Sequence, residues 1–132
     1  MKKHKDLQPW LEYFEMLRRY KEKGLLHMQP DKHEAYVTEP ALHAMSPGND
    51  PQKQMTDGSI FRTVRRLRTY AAWLLTEEKS YFNQPFAVNV VKDEPPHDPL
   101  YTIVMERRRK WWRLWMLTDC IEVIDYGMKN EE

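Results

Sequence analysis

The hydrophobic pattern of this chain changes period partway along, and that change constrains the fold more than any single motif. In two long stretches before about residue 79, about 7–23 and 58–79, the apolar residues recur at intervals of three and four, as on one face of an α-helix. After Asn83-Gln84-Pro85 they become β-branched and aromatic runs. Phe86-Ala87-Val88-Asn89-Val90-Val91 and Leu100-Tyr101-Thr102-Ile103-Val104-Met105 suit strands, parted by the proline-rich segment Asp93 to Pro99. This order predicts an α+β fold in which helices come first and a C-terminal antiparallel β-meander follows over about 86–126.

Two main helices are expected. Asp6 is a suitable N-cap, Pro9 falls in the tolerated first turn and Gly24 suits the residue just past a helix end, which brackets about 7–23. Its apolar stripe is Trp10, Tyr13, Phe14, Leu17 and Tyr20. The second helix, about 58–79 with Thr56 or Asp57 as cap, buries Ile60, Val64, Leu67, Ala71 and Leu74. Arg62, Arg65, Arg66, Thr69 and Trp73 then fall on the opposite arc. Trp10, Phe14 and Leu17 are expected to share one core with the second stripe. Between the helices, Leu25 to Met28 and Glu34 to Thr38 flank a Pro30-Asp31 turn as a small hairpin, and Thr38 caps a short helix near 39–45. Ser46 to Met55 reads as a loop. Trp111 to Leu117 and Cys120 to Tyr126, parted by Thr118-Asp119, predict the last hairpin, with a polar tail at 127–132.

A length of 132 residues predicts one compact domain, and 41% hydrophobic residues argue against wholesale disorder. The single cysteine, Cys120, excludes an internal disulfide and a multi-cysteine zinc site, so a reducing compartment and a structural thiol are expected. No run approaches the ~18 apolar residues of a membrane span. The expectation is a soluble, cytoplasmic protein with no membrane partner.

Charge is unevenly placed. Gly58 to Thr76 holds four arginines and no acid, and Arg107 to Thr118 holds five cations and no acid; these nine against a net charge of +1 leave −8 for the rest. The second stretch includes Arg107-Arg108-Arg109-Lys110-Trp111-Trp112-Arg113-Leu114-Trp115, with three of the five tryptophans. If this segment is one extended strand, Arg107, Arg109, Trp111, Arg113 and Trp115 share a face, a ladder of cations and indoles suited to a polyanion or an aromatic-rich partner. The bland alternative is a half-buried strand with a tryptophan in the core and arginines shielding its outer face.

Catalytic chemistry finds little support. Asp31, His33 and Glu34 with His27 or His43 form the one tempting metal constellation, but Val37 stands where a zinc-protease helix requires its second histidine. With four glycines there is no glycine-rich phosphate loop, and no Gly-x-Ser-x-Gly elbow is present. No cofactor or metal is expected. The sequence therefore reads as a small non-enzymatic binding module. Association with a protein partner or a second copy comes first, because Arg and Trp are enriched in interface hot spots. Nucleic-acid contact through the basic helix 58–79 and the Arg/Trp strand 107–115 comes second. The residues assigned to either partner are Arg62, Arg65, Arg66, Trp73, Arg107, Arg109, Trp111, Arg113 and Trp115.

Overall fold

The computed structural model describes residues 2–46, 58–77, 79–110 and 113–127, with the backbone alone at 2–9, 110 and 113–115. Its elements are α1 (Lys2–Glu22), β1 (Leu26–Gln29), β2 (Glu34–Thr38), α2 (Glu39–Met45), α3 (Ser59–Leu74), β3 (Phe86–Val91), β4 (Tyr101–Lys110) and β5 (Arg113–Asp125). Short 3-10 turns at Pro30–Lys32 and Lys79–Asn83 complete an α+β fold. Most of the expected loop after Ser46, the expected caps Thr56 and Asp57, Trp111 and the tail beyond Gly127 lie outside the described residues.

The five strands form one sheet in sequential order. β1 and β2 make the expected hairpin, and β3, β4 and β5 the expected antiparallel meander. The two halves join through a parallel β2–β3 pairing, so the sheet is mixed. Its helical connection, α2 then α3, is what a parallel crossover requires. Alternate residues Leu26, Ala35, Val37, Phe86, Val88, Val90, Ile103 and Met105 face one way and enter a hydrophobic cluster with Phe14, Leu17, Leu42, Ile60, Val64, Leu67 and Ala71. The opposite face carries a polar ladder: Thr102 Oγ1 donates to Asn89 Oδ1 at 2.8 Å, and Asn89 Nδ2 donates to the Ala35 carbonyl at 3.3 Å. These bonds satisfy amide and hydroxyl groups that are otherwise costly to bury.

Helix ends explain where the sequence pattern stops applying. α1 begins at Lys2 rather than near Leu7: the lysine-rich start holds good helix formers, and the helix continues past Pro9 although proline has no N–H to give the Lys5 carbonyl. Asp6 and Pro9 consequently lie within it. Its far end is as expected: Gly24 adopts φ 76°, its N–H donates to the Lys21 carbonyl at 3.0 Å, and the Leu25 N–H donates to Tyr20 at 3.0 Å. That pair of bonds is a Schellman motif. α3 ends at Leu74 instead of Lys79 by the same device with an unexpected residue. Thr76 takes φ 54°, donates to the Trp73 carbonyl at 3.1 Å, and Glu77 donates to Ala72 at 3.0 Å. At the start of α2 the Thr38 hydroxyl accepts from the Ala41 N–H at 3.3 Å, the expected cap.

These two helix ends give a prediction of opposite signs. A side chain in the left-handed region costs about 1–2 kcal/mol, so Gly24→Ala should destabilise the fold by at least about 1 kcal/mol. Its new Cβ would also lie 3.3 Å from a Glu94 carboxylate oxygen. Thr76→Gly should stabilise by up to about 1 kcal/mol, since relief of strain is partly offset by the greater freedom of glycine in the unfolded chain. Urea midpoints of both variants check this; equal signs would refute the assigned helix ends.

Two further expectations are corrected. β5 runs unbroken through Thr118-Asp119, which were expected to form a turn, and β4 extends to Lys110, so the β4–β5 connection falls at 111–112. Trp10, expected in the core, is 38% exposed; its ring rests on Phe14 with centroids 5.7 Å apart. Phe14, Leu17, Ile60, Val64, Leu67 and Ala71 are buried in the single cluster, and Leu74 packs at its margin.

Candidate functional site

Asp119 stays in a strand because three arginines hold it there. It faces Arg107 across the β4–β5 ladder, on the side of the sheet covered by helices. From α3, Arg68 reaches it with two hydrogen bonds, Nη1 to Oδ1 at 3.1 Å and Nη2 to Oδ2 at 2.8 Å. The Arg68 side chain is 3% exposed and that of Asp119 12%. Such bidentate, charge-assisted pairing is what a buried guanidinium requires. Two further guanidinium groups approach the same carboxylate by Nε, Arg65 at 3.7 Å and Arg107 at 3.6 Å. Burial alone would raise the Asp119 carboxyl, but the Arg68 hydrogen bonds and the charges of Arg68, Arg107 and Arg65 outweigh it and hold the group below its ordinary value of 3.8. Aromatic rings support the cations. Arg68 and Arg107 lie over Phe82, 5.0 and 5.6 Å from its centroid, and Arg65 lies over Phe61 at 4.9 Å.

A second surface forms between α1 and α3. Phe14 sits at its centre, with ring centroids 5.0 Å from both Tyr70 and Trp73. Tyr70 and Trp73 stack at 6.1 Å with their planes 17° apart. These contacts hold the Trp73 indole in place while leaving it 52% exposed. Trp10 and Leu11, also exposed, flank Phe14 along α1. Arg66 lies over the Tyr13 ring at 5.0 Å, and Arg62 is exposed one turn earlier on α3. On α1, Arg18 pairs with Glu15 and Glu22 of its own helix.

The expected site residues therefore divide between two places. Arg66 and Trp73 belong to the α1–α3 surface, and Arg65 and Arg107 to the Asp119 cluster. Arg109 is exposed opposite Leu117 on the part of the β4–β5 ribbon that extends past β3. The single-strand ladder does not form as expected, because Arg107 and Arg109 stand on β4 while Arg113 and Trp115 stand on β5. The side chains of Arg113 and Trp115, and Trp111 altogether, lie outside the described residues.

Arg68 and Asp119 were not among the expected site residues. A signal for Arg68 exists in the sequence: it follows Leu67 and stands four residues after Val64, on the margin of the apolar stripe, where an arginine requires a carboxylate.

Among the histidines, His33 has a clear place in the fold. His33 turns the β1–β2 hairpin with φ 56° and stacks on Tyr81 at 4.2 Å. The Tyr81 hydroxyl donates to the Pro30 carbonyl at 2.7 Å; burial, with Asp31 adding, pushes the phenol up to about 12. Cys120 is half-buried on the sheet face opposite Asp119. Among the described residues no three His, Cys, Asp or Glu side chains group as metal ligands, and no helix is long and apolar enough to cross a membrane. Compared with known proteins, the chain matches no family model, and no curated protein or solved structure shows significant similarity to it.

Proposed function

We propose that this chain is a non-enzymatic binding module whose α1–α3 surface docks an acidic partner protein. The observation that carries this reading is Trp73, a large aromatic ring fixed by Phe14 and Tyr70 yet half exposed. A pre-ordered indole loses little conformational freedom on binding, which is what makes a tryptophan an effective anchor. Partner charge follows from α3, which brings Arg62 and Arg66 to this side and holds no acid between Ser59 and Leu74. Arg66 and Arg62, about two and three turns before Trp73 on α3, favour carboxylates at the rim of the contact and speed encounter with an acidic surface.

A displayed library of random peptides tests this. Wild-type protein should enrich sequences that combine aspartate or glutamate with a leucine or aromatic anchor. Trp73→Ala should weaken binding to a selected peptide by at least ~30-fold, the equivalent of a 2 kcal/mol anchor. Arg62→Gln with Arg66→Gln should mainly slow association and flatten its salt dependence. A library that yields no enriched family, or a Trp73→Ala variant that binds as well as wild type, defeats the proposal.

A further inference from the structure

We propose that Arg65 and Arg107, poised over the buried Arg68–Asp119 pair, form a binding site for a phosphate group. The site is separate from the α1–α3 surface and does not rest on that reading. Its first support is charge. Three guanidinium groups from α3 and β4 meet one carboxylate on β5, so the cluster holds two uncompensated positive charges. Among the described residues no other carboxylate forms an ion pair with these arginines.

Hydrogen-bonding capacity points the same way. Three guanidinium groups carry about fifteen N–H donors, five each, against about four acceptor sites on one carboxylate. Arg68 takes one site on each Asp119 oxygen, and its own Nε remains buried without a partner. Arg65 and Arg107 stand at 3.7 and 3.6 Å, beyond hydrogen-bond length, so the carboxylate orients them without saturating them.

Stability alone does not account for this gathering. One arginine suffices to pair Asp119, while the second and third add mutual repulsion and, being partly exposed, contribute little in return. Their side chains are 52% and 31% exposed, so an anion has access to them. Phe61 and Phe82 lie within 4.9 and 5.6 Å of the two guanidinium carbons and restrict their motion. Two planar forks at one locus suit the several oxygens of a phosphate better than a single carboxylate. The next residue on the same face of β4, Arg109, lies ~6.8 Å further along the strand and extends the basic track toward the ribbon tip. A free phosphate and a nucleic-acid backbone present the same group here.

Two probes separate these sources: inorganic phosphate, followed by NMR shifts of arginine Nε–H signals, and a fluorescent single-stranded oligothymidylate, followed by anisotropy at several salt concentrations. At low salt, wild-type protein should bind at least one of them. Arg65→Gln with Arg107→Gln should reduce that affinity at least tenfold, while Trp73→Ala should leave it unchanged. Saturable binding of inorganic phosphate, abolished in the double variant, supports the site with free phosphate as a sufficient ligand. Binding of the oligonucleotide alone, with the slope of log affinity against log salt reduced by about 1.4 in the double variant, at ~0.7 for each of two charges on a single strand, supports a backbone phosphate. Binding of neither probe, or equal binding by wild type and double variant, overturns the proposal. Should the glutamine variant fail to fold, Arg65→Lys with Arg107→Lys tests the fork alone: affinity for the bound probe should fall while the salt slope, set by charge, stays as in wild type, and unchanged affinity overturns the proposal.

Discussion

Replacing Asp119 with alanine is expected to destabilise the fold by about 3–5 kcal/mol, among the largest effects of any single substitution outside the hydrophobic core. The reason is the partner left behind. Arg68, 3% exposed and held by two hydrogen bonds, would become a buried charge with no counterion. Arg65 and Arg107 would then repel it rather than share a carboxylate with it. Asp119→Asn keeps one acceptor oxygen and should cost less. Arg65→Gln, at an exposed side chain beyond hydrogen-bond distance, should cost under about 1 kcal/mol. The pH dependence follows from the direction of the shift. Asp119 is held below its ordinary value of 3.8 in the folded state, so its contribution is full above that value and is lost as pH falls through the lowered folded value. Guanidinium midpoints at pH 7 and through the acid range, for wild type and both Asp119 variants, measure this. A loss under about 1 kcal/mol for the alanine variant at pH 7 would mean that Arg68 is solvated rather than paired.

The same residue shows where sequence reasoning ends. Thr118-Asp119 resembles a turn because aspartate competes locally with strand hydrogen bonding, and no neighbouring residue argues otherwise. The strand continues because Arg65 and Arg68, some fifty positions earlier, and Arg107 on the adjacent strand together compensate the carboxylate. A local window does not contain those partners. The parallel β2–β3 pairing was hidden for a similar reason, since the hydrophobic character of Ala35, Val37, Val88 and Val90 suits either strand direction. Features that depend on adjacent residues were legible. Gly24 closes α1, Thr38 opens α2, and the 3.6-residue stripe of α3 is buried as its spacing predicts. The early end of α3 was not, because Thr76 occupies a left-handed position usually marked by glycine.

The candidate site was legible in composition and obscure in geometry. Arg65, Arg66, Trp73 and Arg107 stand out in sequence as unusual cations and aromatics, but nothing local says that Arg65 and Arg66, adjacent on one helix, serve different surfaces. A 100° turn between neighbours sends Arg66 to Tyr13 on α1 and Arg65 to Asp119 on β5. Which surface each arginine joins is decided by the elements packed on either side of α3, and only the assembled sheet supplies those.

Leu67→Ala should cost a comparable 2–5 kcal/mol, by a mechanism that pH does not touch. Leu67 is fully buried and belongs to the cluster that joins α3 to both other helices and to the sheet. Truncation removes the transfer free energy of its terminal carbons and leaves a cavity that strands fixed by ladder hydrogen bonds collapse into poorly. Leu67→Met, which nearly conserves volume, should cost under about 1.5 kcal/mol. Leu67 and Arg68 are consecutive on α3, one anchoring the helix through apolar contact and the other through an ion pair. Comparing Leu67→Ala, Asp119→Ala and their combination therefore measures how the two anchors depend on each other. If each independently fixes the helix, the losses add to within about 0.5 kcal/mol. A combined loss well short of the sum would mean that either substitution alone already detaches α3 from the sheet. An unchanged denaturation midpoint for Leu67→Ala would contradict the packing of α3 itself, because no surface site at the centre of that stripe remains available to an alanine.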